Sequence, residues 1–394
     1  MSPRLGMRGH VPLEHEKPNV AGILERALKR AVGSTLRILV GNPSPNEPST
    51  TDPRSILVIR QHNQLGDMLC VVPLLKALRA TYPRARISLI TSPVNHEVME
   101  HNRFLDEVLL YDKAMFLGKR RISPGKLVQY CRSLRARKFD MVIVPATVST
   151  SFTSDLLAYI SGAPVRIGTG SLDGVENASA FVYSQQVELD WRNDPQRHQT
   201  LRNLDIAASL NLSKVGLGIE MTLLDKEREE GLAAIASAGL PRGRLIGFHP
   251  GAGKRPNRWA ADRFAQTANA LCVEFKAAAV VTAGPMDDEP VQAMVSALCV
   301  PYYVVKNESI RRVASILEGV DLLVSNDTGI MHVGAAVGTP VLSLFGPTEP
   351  RQWAPQGPQH KFLQAADGSM DSLLVREVLV AARSMLAAVE HPVR

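Results

Sequence analysis

Short apolar runs constrain this chain most. ILVI at 56–59, ISLI at 87–90, VLLY at 108–111 and MVIV at 141–144 have the length and β-branched character of buried parallel strands. Helical segments lie between them; over 67–81, Leu69, Val72, Leu75 and Leu78 fall on one helical face. Strand–helix alternation requires a parallel sheet with helices on both faces. The pattern restarts, with strands at 245–248, 278–282, 322–325 and 341–344 and helices at 261–274, 290–297, 309–318 and 331–337. An α/β chain of two Rossmann-like domains facing a central cleft is predicted, the first over 55–216 and the second over 217–394. In such sheets ligands bind beyond the carboxyl ends of the strands.

A 54-residue extension precedes this body. Residues 1–20 mix Pro, Gly, His and charge without period and read as a disordered lead. Over 21–40, Leu24, Leu28, Ala31 and Thr35 fall at helical spacing, with Arg26, Lys29, Arg30 and Arg37 largely elsewhere on the wheel. This basic amphipathic helix would lie on an anionic membrane or dock on its own protein. A Pro/Ser/Asn-rich linker follows at 41–53.

Composition narrows the class of partner. The net charge of +7 favours an anionic one: a nucleotide sugar, an acidic lipid surface or a nucleic acid. The last is set aside, because zinc-finger spacing, RNA-recognition aromatics and a dense basic tail are all missing. Cys70, Cys131, Cys272 and Cys299 form no CxxC pair, so neither a zinc site nor a disulfide framework is expected. No apolar run reaches the roughly 18 residues of a membrane span, and no signal-peptide core opens the chain. The expected place is the cytoplasm, with peripheral contact at the inner face of the inner membrane.

Four stretches at strand ends can carry chemistry. RQHNQLGD at 60–67 places Gly66, which permits close approach, beside Asp67, either a helix N-cap or a general base at a strand's carboxyl end. FHPGAGKRPNRW at 248–259 offers glycine N–H groups with Lys254, Arg255 and Arg258, a set that suits a diphosphate; Trp259 reads as packing. SNDTGIMH at 325–332 opens a helix whose free N–H groups and dipole attract phosphate, with Asp327, Thr328, Gly329 and His332 as binding candidates and caps-and-packing as the plain alternative. TAGPMDDE at 282–289 carries Asp287, either a ribose acceptor or part of a solvated helix start. No Asp-x-Asp pair or metal-spaced cluster occurs, so lysine and arginine are expected to neutralise a diphosphate in place of a divalent ion.

In order and spacing these stretches resemble glycosyltransferase family 9, the ADP-heptose:lipopolysaccharide heptosyltransferases. GAPVRIG at 162–168 and HQTLRN at 198–203 add to the resemblance, which covers about residues 55–385. It implies a GT-B fold, an inverting and metal-independent transfer, nucleotide binding in the C-terminal domain and an acceptor site mainly in the N-terminal one. By matching, Asp67 is the candidate base. Asp327, Thr328 and Gly329 would border the diphosphate with His332 nearby, and Asp287 would meet the ribose. One position departs: two residues before the tryptophan, where the family often has a phosphate-binding lysine, stands Asn257. Lys254, Arg255 or Arg258 would then have to supply the charge.

The expected reaction is a single displacement from ADP-heptose, with no cofactor, onto a lipopolysaccharide core or related glycolipid or saccharide acceptor. Two rivals stay open at this level. A catalytically degenerate nucleotide-sugar-binding protein would more readily have lost Asp67, and a nucleotide-sugar epimerase would need further acids around the sugar.

Overall fold

The computed structural model describes residues 52–61, 64–112 and 124–388. The described residues all fall in one unit, which starts at Pro45. The predicted helix at 21–40 and most of the 41–53 linker lie outside the described residues, as do His62 and Asn63.

The described unit contains two sheets. The first holds β1 (Ser55–Ile59), β2 (Arg86–Thr91), β3 (Glu107–Leu110), β4 (Met141–Ile143), β5 (Val165–Leu172), β6 (Val175–Glu176) and β7 (Gln185–Leu189). Its order is β3-β2-β1-β4-β5-β6, with β7 also on β5, and only the β5–β6 pair is antiparallel. The second holds β8 (Arg244–His249), β9 (Ala277–Ala283), β10 (Tyr302–Lys306), β11 (Leu322–Asn326), β12 (Val341–Phe345) and β13 (Lys361–Gln364). It is parallel throughout in the order β10-β9-β8-β11-β12-β13. Strand order therefore reverses between β1 and β4 and again between β8 and β11, which is where such sheets open a crevice. This is the expected GT-B arrangement of two Rossmann-like halves.

In the first half the helices are α1 (Leu65–Leu69), α2 (Val72–Thr81), α3 (Pro93–Met99), α4 (Pro124–Ala136), α5 (Phe152–Ser161) and α6 (Gln199–Asp205). Residues 212–224 then run without helix or strand into α7 (Asp225–Ser237). Next come α8 (Ala261–Phe275), α9 (Asp288–Ser296), α10 (Ile310–Glu318), α11 (Gly329–Ala336), α12 (Pro350–Trp353) and α13 (Val375–Ala388).

One predicted helix is corrected. The segment read as continuous over 67–81 starts at Leu65 and breaks at Cys70–Val71. Pro73 explains the break, since it offers no N–H to the Leu69 carbonyl four residues back and its ring crowds that oxygen. Gly66 and Asp67 therefore sit on a separate single turn.

Burial follows the parallel-sheet logic. Ile56, Leu57, Val58, Ile59, Leu322, Leu323 and Val324 are all fully buried. One apolar cluster runs from Ile56, Met68 and Leu74 in the first half to Leu317, Leu323 and Met331 in the second. Another is confined to the second half, around Phe248, Trp259, Phe264 and Leu386. Trp259 is packed as expected, its indole N–H donating to the Leu373 carbonyl at 2.9 Å.

Candidate active site

Helices α1 and α11 start from the switch points of the two sheets and meet. A Cβ at Gly66 would lie 2.6 Å from His332 Cδ2, and one at Gly329 would lie 3.0 Å from Leu65 Cβ. The glycines thus permit backbone-close contact between helix N-termini. Gly66 has no positive φ, so its freedom from a side chain is what matters. His332 is buried against Trp353, with ring centroids 6.5 Å apart, and its Nδ1 has no hydrogen-bond partner. Burial, with His198 adding repulsion, pushes the His332 imidazolium pKa down to about 3, so the ring is neutral at ordinary pH.

Asp67 occupies the third position of α1, while Gln64 stands at the N-cap. Asp67 therefore does not cap this helix. Its carboxylate is buried, Oδ1 lacks a hydrogen bond, and the nearest cation is Arg60 Nη2 at 3.5 Å. Burial raises the Asp67 pKa above the usual carboxylate range, and the Arg60 charge pulls part of that back. Arg60 is itself held by the Pro145 carbonyl at 3.0 Å and Thr147 Oγ1 at 3.1 Å, just beyond β4. A partly desolvated carboxylate with no hydrogen bond on Oδ1, beside a guanidinium held by two other acceptors, can accept a proton.

Beside this seam lies a cavity of about 500 Å³ whose walls include Leu65, Glu97, His249, Asp287, Thr328 and Gly329. Thr328 stands at the N-cap of α11 with its hydroxyl unbonded and buried, beside the free N–H groups of the first turn. Asp287 accepts the Gly284 N–H at 2.8 Å and lies 3.7 Å from His249 Nε2. His249 Nδ1 meets Thr282 Oγ1 at 2.9 Å, and burial lowers the pKa of this histidine while Asp287 opposes the shift. Asp327 receives the Asn257 amide at 3.0 Å. Burial raises its pKa; hydrogen bonding from Thr348 and the nearby charge of Lys254 act against the rise.

The basic loop divides. Lys254 is exposed and acts on Asp327. Arg258 folds back onto the Ala252 carbonyl at 2.8 Å and lies 3.7 Å from Glu289. With Arg255 it lines a separate cavity of about 470 Å³ that also includes Asp371. Asn257, at the position where a lysine was expected, is buried and bonds Asp327 and Thr348.

Of the predicted residues, the structure gathers Gly66, Thr328, Gly329 and His332 at the seam. Asp67 lies on the same turn as Gly66, and Asp287 lines the adjoining cavity. Sequence reading did not single out Arg60 as a partner of Asp67 or Glu97 as a wall residue. For Arg60 a signal existed, a cation directly after a buried strand; Glu97 sits in an amphipathic helix like any solvated acid.

Comparisons with known proteins converge. The family model described as glycosyltransferase family 9 (heptosyltransferase) matches residues 127–375. The lipooligosaccharide heptosyltransferase 2 of Haemophilus influenzae is 30% identical over 325 residues, covering 78% of this chain and 87% of that protein. The crystal structure of a family 9 glycosyl transferase from Veillonella parvula matches with a TM-score of 0.76 at 25% identity, over 86% of this chain and 99% of that one. The Escherichia coli heptosyltransferase WaaC, solved with ADP-2-deoxy-2-fluoro heptose, shares the fold with a TM-score of 0.65 at 18% identity, over 84% and 99% of the two chains.

Proposed function

Because this chain belongs to glycosyltransferase family 9, we propose that it transfers heptose from ADP-heptose onto a lipopolysaccharide core, with inversion at the anomeric carbon and without a metal ion. The carrying observation is the buried Asp67 carboxylate, whose Oδ1 makes no hydrogen bond and faces Arg60, one residue from the glycine that abuts α11. A lipooligosaccharide or lipopolysaccharide acceptor follows the names of the Haemophilus influenzae and Escherichia coli relatives.

In this reading an acceptor hydroxyl oxygen attacks the anomeric carbon as the bond from that carbon to the diphosphate oxygen breaks. Asp67 takes the hydroxyl proton, and ADP leaves with the bonding electron pair. One displacement inverts the centre. Charge developing on the leaving diphosphate meets the first N–H groups of α11, the Thr328 hydroxyl and Lys254, placed before reaction begins. Asp287 accepts from the ribose. Closure of the seam excludes water and strengthens each of these interactions.

In this reading Lys254 and the α11 N–H groups take the part a divalent ion would otherwise play at the diphosphate. Among the described residues no group of three or more His, Cys, Asp or Glu side chains is placed to hold an ion. The protein would work at the inner face of the inner membrane. Among the described residues no helix is long and apolar enough to cross a bilayer, and contact would fall to the basic segment at 21–40. The deciding experiment is transfer from ADP-heptose to a heptose-deficient core acceptor in excess EDTA, with the product's anomeric configuration read by NMR. Retention of configuration, or a loss of turnover restored by Mg²⁺, sinks the respective part of the reading.

A further inference from the structure

Arg311 is nearly fully buried at the start of α10, and every N–H of its guanidinium has an acceptor. Nε and Nη2 form a bidentate pair with Glu227 of α7, both bonds at 2.5 Å. Nη2 also donates to the Thr222 carbonyl at 2.8 Å, in the stretch joining the two halves. Nη1 reaches into the first half, to the carbonyls of Glu97 at 2.9 Å and Glu100 at 3.3 Å. Those two oxygens close the carboxyl end of α3, where a helix leaves its last carbonyls without internal partners. The exchange runs both ways: the Glu97 carboxylate accepts the Ile310 N–H at 3.1 Å, satisfying a free donor at the amino end of α10. Each half of the molecule therefore caps a helix of the other.

Beside these contacts, α3 (Pro93, Val94 and Glu97) and the start of α10 (Ile310 and its N-cap, Ser309) form one wall of the large cavity. Residues that fix these two ends together also fix the width of the cavity.

We propose that Arg311 is a positioning residue of the donor site, acting through Glu97 and Ile310 to hold the two sheets at the separation that binds the nucleotide. This rests on the cavity being the donor site. The guanidinium suits this role, since five donors in one plane join three chain segments, a geometry lysine cannot reproduce. Glu227 supplies the counter-charge, and its pKa is driven down to about 2, chiefly by the Arg311 hydrogen bonds, so the pair stays ionised over the working pH range. Without the clasp the halves would sample open arrangements, and apparent affinity would fall by the fraction still closed. Bound donor would restore closure, so donor KM should rise while kcat holds.

The test uses the full chain with ADP as probe, calorimetry for affinity, small-angle scattering for domain separation, and a thermal melt. Arg311→Met should weaken ADP binding about tenfold and enlarge the radius of gyration, with saturating ADP reversing the enlargement; Arg311→Lys should fall between. Glu97→Ala, which leaves the Arg311–Glu227 pair intact, should weaken ADP several-fold and enlarge the radius of gyration with only a small fall in melting temperature, and it stands in should Arg311→Met fail to fold. Wild-type ADP affinity and dimensions in these variants overturn the proposal and leave the donor reading standing. If the wild-type chain does not bind ADP but Arg311→Met still expands it, the clasp survives and the donor assignment fails.

Discussion

Gly66 and His332 come from opposite sheets, yet a single carbon added to Gly66 would sit 2.6 Å from Cδ2 and 2.8 Å from Nε2 of the imidazole. Neither ring nor helix has room to retreat, because His332 is buried behind Trp353. Gly66→Ala should therefore push the halves apart, costing about 1–3 kcal/mol from overpacking and about tenfold or more in transfer. His332→Ala in the same chain should recover much of both. A double-mutant cycle on melting temperature and turnover checks this; additive effects would show that the two residues do not touch in solution.

Asp67→Asn preserves shape and removes proton-accepting capacity. Turnover should fall by about 10²–10⁴, with ADP affinity unaltered in calorimetry. A variant that keeps more than a few per cent of wild-type turnover would remove Asp67 from the role of base.

The same carboxylate sets the pH response. A base works only when deprotonated, and burial raises the Asp67 pKa, so kcat/KM should fall on the acid side at a midpoint above the ~3.9 of a free aspartate. Arg60 pulls against that rise. Arg60→Met should shift the acid limb further towards neutral pH. A shift in the opposite direction would show that Arg60 does not stabilise the ionised form.

Thr328 separates binding from stability. Its hydroxyl is buried without a partner, so Thr328→Val should leave the melting temperature level or slightly raised. If that hydroxyl serves the diphosphate, ADP affinity should drop several-fold in titration calorimetry. Equal affinity would confine Thr328 to the helix start.

The central strands were legible because they are buried on both faces and leave short continuous apolar runs such as 56–59 and 322–324. Strands with exposed positions were harder to read: β10 exposes Tyr302 and Lys306 and β13 exposes Lys361 and Phe362, although the edge strand β3 was visible in its VLLY run. The candidate site residues were singled out because glycines and acids stand directly after strands. The routing of Arg258 onto Ala252 and Glu289, away from the large cavity, depends on side-chain direction in a loop, which periodicity does not encode. Nor does it encode the match of Arg311 with carbonyls more than 200 positions earlier in the chain.

The apolar cluster shared by both halves also bears on how the chain is born. Residues 55–216 emerge from the ribosome before the second half, with the partners that meet α1, Gly329 and His332 among them, still unsynthesised. Until α11 arrives, the side of α1 that meets it is exposed to solvent and to other nascent chains. Truncations that end before α11 should therefore aggregate rather than persist as stable fragments.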